Sequence, residues 1–239
     1  MVGYIISLVL FIAIYVIYIL ACRFKFNFVL FLNKYPKIVN LVFIGISFTC
    51  YIAVVIVAYI KNGLYDWNFT NTLPTANVSP FVFATLPLYF ILPKKAKDYY
   101  LRIFPLLSIG MIASPIAGMI FNIQRNYNFY ASFLANYIAH LSLSMWGIYL
   151  VSSNQIRLDF IKSLICVAIM ASVALTMLVL NLIFDTSFFG LSLRGKHNIY
   201  NIVLVDNSYL SCLIYFTGLV GVMLLGHLFQ MLFENKNPQ

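Results

Sequence analysis

Ser132, Asn136, His140 and Ser144 follow one another at intervals of four in an otherwise apolar stretch, Phe129 to Val151. That spacing keeps their side chains on one face of a helix. A histidine and an asparagine turned toward hydrocarbon are costly unless they meet partners, so this face is expected to look into a bundle or a wet cavity. A second polar face lies in Asn71-Thr72-Leu73-Pro74-Thr75-Ala76-Asn77-Val78-Ser79-Pro80, where Thr75 and Ser79 are four apart and Asn71 extends them. A hydroxyl or amide there, facing His140, could do chemistry. The imidazole would take a proton from a hydroxyl nucleophile and return it to a leaving group, with Asn136 or Ser144 orienting the ring. Asn136, Ser79 and Ser144 are thus candidate substrate-binding residues. A further spacing-four pair, Asn181 and Asp185, is expected near the outer surface, where it could position a polar head group. Plainer readings stay open beside these. Ser and Thr in membrane helices often bond their own backbone, and a lone intramembrane histidine can be a satisfied structural group. His227 is expected to mark the cytoplasmic interface.

Composition sets what must hold such residues. The 239-residue chain is 63% hydrophobic and 17% aromatic with 9% charge and a mean hydropathy of +0.94. A soluble domain carries about a quarter charged residues, so this is a polytopic membrane protein, with room for one compact helical bundle over residues 1–239 and no separate soluble domain. The net charge of +9 does not argue for nucleic acid, because the basic residues sit between hydrophobic segments. There they act as topology signals and contacts to anionic lipid. Cys22, Cys50, Cys166 and Cys212 fall in or beside apolar segments without metal-ligand spacing or an extracellular pairing pattern. They read as small core residues, and no metal or cofactor is expected.

A spanning helix needs about 20 mostly apolar residues. Seven segments qualify, at 3–22, 39–60, 72–92, 101–121, 128–151, 160–184 and 208–233. The predicted fold is an all-α bundle of seven transmembrane helices. The connections after the first, third and fifth helices, with the C-terminal tail, hold eleven of the fifteen Lys and Arg: Arg23, Lys25, Lys34, Lys37, Lys94, Lys95, Lys97, Arg102, Arg157, Lys162 and Lys236. The other side holds four, Lys61, Arg125, Arg194 and Lys196. The positive-inside rule therefore predicts the N-terminus outside and the C-terminus in the cytoplasm, and an odd helix number agrees in placing the termini on opposite sides. A composition rich in Ile, Asn, Tyr, Phe and Lys suggests a bacterial source, hence a bacterial plasma membrane. At 1.5 Å per residue, His140 lies about 18 Å below the outer end of its helix, Thr75 about 12 Å and Ser79 about 18 Å below an outer end at Trp67. The two polar faces can therefore meet in the outer half to middle of the membrane. In the fourth helix, Ser114-Pro115 and Gly118 suit close packing against a neighbour.

Several chemistries are excluded by absence. No glutamate precedes Glu234 and no acidic residue falls in a helix centre, where proton-coupled pumps usually place a carboxylate. There is no HExxH pair, no P-loop and no GxSxG elbow.

Leu73-Pro74 with Ser79-Pro80, the Asn-x-x-x-His of Asn136 and His140, the basic Lys94-Lys95 stretch and the Gly195-Lys196 loop together resemble the YwaF-type bacterial integral membrane proteins over most of the chain. That family is similar to eukaryotic seven-helix membrane acyltransferases, which use a cysteine after a proline with a nearby histidine. More distantly it is similar to threonine-and-histidine membrane hydrolases of fatty acid esters of hydroxy fatty acids. The resemblance implies Thr75 as nucleophile and His140 as its histidine. Where the eukaryotic motif reads proline-cysteine-histidine, this chain has Pro74-Thr75-Ala76. The expected function is a lipid-directed acyltransferase or esterase with membrane lipid or a small amphiphile as substrate. The rival readings are a carrier or receptor with a polar pocket for an amphiphile or solute, and a packing subunit of a membrane complex.

Overall fold

A chain that leaves water must satisfy its backbone within each segment, and for single segments only a helix does so. In the computed structural model, which describes residues 2–62, 73–74, 77–120, 130–186, 188–191, 208–231 and 233, every regular element is helical. The α-helices are α1 (Val2–Arg23), α2 (Asn27–Leu32), α3 (Pro36–Asn62), α4 (Val78–Thr85), α5 (Leu88–Ile91), α6 (Lys94–Ile120), α7 (Tyr130–Ser152), α8 (Phe160–Phe184) and α9 (Ser208–Met231), with a 3-10 turn at Phe188–Gly190. Among the described residues, five of them, through Ile6–Arg23, Pro36–Lys61, Leu134–Ser152, Phe160–Phe184 and Tyr209–Met231, are long and apolar enough to cross a membrane. These are the dimensions of a multi-pass integral membrane protein.

The segment expected at 72–92 takes a different form, whereas residues 101–120 of the segment expected at 101–121 lie within one continuous helix. Proline has no N–H and clashes with the preceding turn, and the run 78–91 breaks at Pro87 into α4 and α5. The carbonyl of Phe83, which would have bonded residue 87, accepts from Leu86 instead at 3.2 Å. The carbonyl of Thr85 is capped by the Tyr100 hydroxyl at 2.9 Å. The backbone freed by the proline is thus satisfied from α6. That helix is 27 residues long, but its first nine include Lys94, Lys95, Lys97, Asp98 and Arg102. Arg102 is buried, pairs with both carboxylate oxygens of Asp98 at 3.1 Å and with Asp159 at 3.9 Å, and also bonds the carbonyl of Arg157. Lys162 completes this charge cluster between the starts of α6 and α8.

The helices are not equivalent. Of the Leu134–Ser152 window in α7, 72% is buried inside the protein, against 22–28% in the other four spanning windows. Helix α7 packs against α1, α3 and α6, and α6 carries the contacts on to α8 and α9. The outer helices turn large apolar side chains outward, among them Ile17 of α1, Ile56 of α3, Ile165 of α8 and Leu213 of α9, as lipid requires. The polar stripe therefore sits on the most enclosed of these five helices.

Contact between α6 and its neighbours depends on glycine. A Cβ at Gly147 would lie 2.6 Å from the carbonyl oxygen of Phe104, and one at Gly226 would strike the backbone of Leu106. These two positions let α7 and α9 reach the α6 backbone. The side chains of Ser114, Pro115 and Gly118, where close packing was expected, lie outside the described residues.

Candidate functional site

His140 lies at the centre of the enclosed helix and is 4% exposed. Its Nδ1 is 2.8 Å from the carbonyl oxygen of Asn136, one turn earlier on α7. A carbonyl only accepts, so Nδ1 carries the proton of that bond, and in the neutral ring Nε2 keeps its lone pair. The bond that sets this tautomer comes from the main chain of Asn136. Sequence reasoning had assigned the orienting role to the Asn136 amide or the Ser144 hydroxyl; the structure corrects this, because the Ser144 hydroxyl donates to the Ser108 carbonyl at 2.6 Å. The His140–Asn136 bond consequently survives any side-chain change at residue 136 that preserves the helix.

Helix α4 reaches the histidine through Phe83, whose ring meets the imidazole edge-to-face with centroids 5.0 Å apart. Ser79 is one turn before Phe83 on α4 and half-buried, with no hydrogen bond to His140. Thr75 lies outside the described residues, as do Asn71, Gly195 and Lys196 and the side chain of Ser132.

The imidazole forms part of the wall of a crevice between α1, α6 and α7. Leu8, Phe11 and Ile12 line it from α1 and Ile112 from α6, while Tyr137 and Leu141 flank His140 on α7. Its empty volume, counted out to the mouth, is about 250 Å³. The lining is almost wholly apolar, and the space inside is about that of a single water molecule.

Asn181 and Asp185 are placed elsewhere. The Asn181 amide nitrogen donates to the carbonyls of Phe188 and Leu191 at 2.9 and 2.5 Å, and its oxygen accepts from the Thr186 hydroxyl and the Phe188 N–H at 2.9 and 2.6 Å. All four hydrogen-bonding positions of the amide are filled by the chain that leaves α8, so a head group would have to displace one. Asp185 is the exposed left-handed residue that ends α8, with φ 53° and ψ 42°. Together the pair terminates α8 and folds the following turn back onto it, which brings Phe189 to complete burial against Phe81.

Sequence reasoning missed two polar groupings. His227, expected at the interface, is buried, and its Nδ1 lies 2.9 Å from the Ser163 hydroxyl of α8. Asn40 of α3, also buried, accepts from the Trp146 indole at 2.9 Å and donates to the Gln155 amide oxygen at 2.7 Å. Each partner lies between 64 and 115 positions away along the chain, and no local spacing announces either.

Compared with known protein families, characterised proteins and solved structures, the chain matches none.

Proposed function

We propose that this is a seven-pass enzyme of acyl transfer, with its N-terminus outside and its C-terminus in the cytoplasm of a bacterial plasma membrane. It acts on an ester of a lipid or small amphiphile as acyltransferase or hydrolase. The observation that carries the reading is the apolar crevice that closes on His140, whose Nδ1–H is committed to a carbonyl and whose Nε2 is therefore a proton acceptor. In the first step, Nε2 takes the Thr75 hydroxyl proton as the oxygen attacks the ester carbonyl carbon. The tetrahedral adduct collapses to acyl-threonine, and the imidazolium gives its proton to the departing alkoxide. In the second step, water or an acceptor alcohol attacks the acyl-threonine with His140 again as base, restoring the free hydroxyl. Kinship with the YwaF-type proteins belongs to the same proposal and rests on the Pro74-Thr75 and Asn136/His140 motifs. An apolar crevice favours this reading over a carrier for hydrated solutes.

Two experiments test it. With p-nitrophenyl hexadecanoate in mixed micelles, Thr75→Ala should abolish the burst of acyl-enzyme seen by intact-protein mass spectrometry, whereas Ser79→Ala should leave it nearly unchanged. The reverse order would move the nucleophile to Ser79, and no acyl-enzyme in the wild type would remove the covalent mechanism. For the arrangement in the membrane, cysteines introduced beside Lys95 and at the C-terminus should label only from the cytoplasmic side, and one beside Lys196 only from outside. Labelling of the Lys95 and Lys196 sites from one side would rule out seven spans in this orientation.

A further inference from the structure

Helices α1 and α3 both have the length and composition of membrane spans, and residues 24–35 join the end of one to the start of the other. This elbow therefore lies at a membrane surface. It contains α2, whose Val29 is turned into the protein and buried, and the Tyr149 hydroxyl of α7 donates to the Leu32 carbonyl at 3.2 Å. The elbow is thus fastened to the bundle. Its aromatic side chains face the other way. Phe24, Phe26, Phe28, Phe31 and Tyr35 are 49–67% exposed, and four of the rings meet in pairs, Phe24 with Phe26 and Phe31 with Tyr35. Lys25, Lys34 and Lys37 are exposed among them and make no ion pair among the described residues. No acidic residue precedes Asp66 in the chain. The basic groups at the starts of α6 and α8 are different, because Asp98 and Asp159 pair with Arg102 and Lys162.

We propose that this elbow is an interfacial anchor that binds anionic phospholipid. Three surroundings are open to it, and two fail. In water, five rings would form a contiguous apolar patch of the kind that soluble surfaces avoid. In hydrocarbon, three ammonium groups would be stranded without a carboxylate. The head-group layer accepts both, with the rings among the upper acyl chains and the lysines on the phosphates. The absence of carboxylates from this part of the chain selects lipids of net negative charge over zwitterionic ones, since each lysine beside an anionic surface gains about fivefold in attraction. Val29 and the Tyr149–Leu32 bond tie the anchor to the core, so lipid held there stabilises the whole bundle. None of this depends on the chemistry of His140.

Thermal unfolding of the full-length protein in lipid nanodiscs tests the anchor without any turnover. In an equimolar mixture of phosphatidylglycerol and phosphatidylcholine, the wild-type Tm should stand roughly 5 °C above its value in phosphatidylcholine alone. Adding 1 M NaCl, which shortens the screening length to about 3 Å, should remove most of that difference. The triple variant Lys25→Gln/Lys34→Gln/Lys37→Gln should lose most of it at low salt. All three side chains are exposed, so the fold should persist in phosphatidylcholine. Lys162→Gln, a lysine already held by Asp98 and Asp159, should keep the difference even if its Tm falls in both lipids. A wild-type Tm that is the same in the two lipids, or a triple variant that responds like the wild type, would overturn the proposal. So would a dimer in detergent, measured by light scattering, that the triple variant dissolves into monomers, because the elbow would then be a contact between copies of the chain.

Discussion

His140→Gln is expected to leave the protein folded and to slow release of p-nitrophenol from p-nitrophenyl hexadecanoate by about 10²–10⁴-fold, the usual contribution of general acid–base assistance. The glutamine amide can donate to the Asn136 carbonyl as Nδ1–H does at 2.8 Å, so the turn of α7 keeps its bond and Tm should stay within a few degrees of the wild type. What is lost is the proton acceptor, since an amide oxygen is too weak a base to take a hydroxyl proton. The split between stability and rate decides the matter. A variant that unfolds would make His140 a structural group, and one that turns over normally would remove it from the chemistry. Replacement of Ser144 tests the same assignment from the other side, because its hydroxyl serves the Ser108 carbonyl and not the ring.

The second large effect is expected at Gly147. A Cβ there would stand 2.6 Å from the carbonyl oxygen of Phe104, 2.8 Å from its carbon and 3.0 Å from the nitrogen of Pro105. All three are backbone atoms of α6, so no rotamer change can make room and the helices must separate. Forcing extra atoms into a packed interior typically costs about 1–3 kcal/mol, and rigid obstacles raise that. Separation would also disturb the neighbouring Trp146, which is fully buried, tilted against Phe104 with ring centroids 4.3 Å apart, and bonded to Asn40. Gly147→Leu should therefore lower the yield of folded protein and its Tm in detergent. Gly45→Leu is the control, for nothing lies within 4 Å of its Cβ position, and it should behave as wild type. Equal behaviour of the two variants would contradict the observed contact of α6 and α7.

Some of this was legible in the sequence because it depends on neighbours along the chain. Hydropathy alone marks the long apolar helices, but it carries 72–92 through Pro87 as one span where the chain divides into α4 and α5. Intervals of four place Asn136, His140 and Ser144 on one face, and α7 is the helix that the bundle encloses. Other features have no local signature. A main-chain carbonyl that orients His140 is carried by every residue type, so the sequence points to the Asn136 side chain when the Asn136 backbone makes the bond. Gln230 is one amide in an apolar run, and only the approach of α9 to α6 brings it to Ser108, 122 positions earlier. Arg102 reads as a cytoplasmic topology signal, yet packing of α6 against α8 buries it among Asp98 and Asp159. Of the hydroxyls that read as a substrate face, Ser144 is taken up in the same way, donating to the Ser108 carbonyl. Residue type suggests chemistry, but the helix crossings decide which groups are left to perform it.

The most direct measurement of the central claim is the lipid profile of cells expressing wild-type or His140→Gln protein at equal levels. The crevice and the base at its wall predict that the wild type alone shifts the distribution of ester-linked acyl chains, with one lipid class depleted and its deacylated or transacylated product enriched. Identical profiles from the two proteins, both folded and both in the membrane, would contradict it.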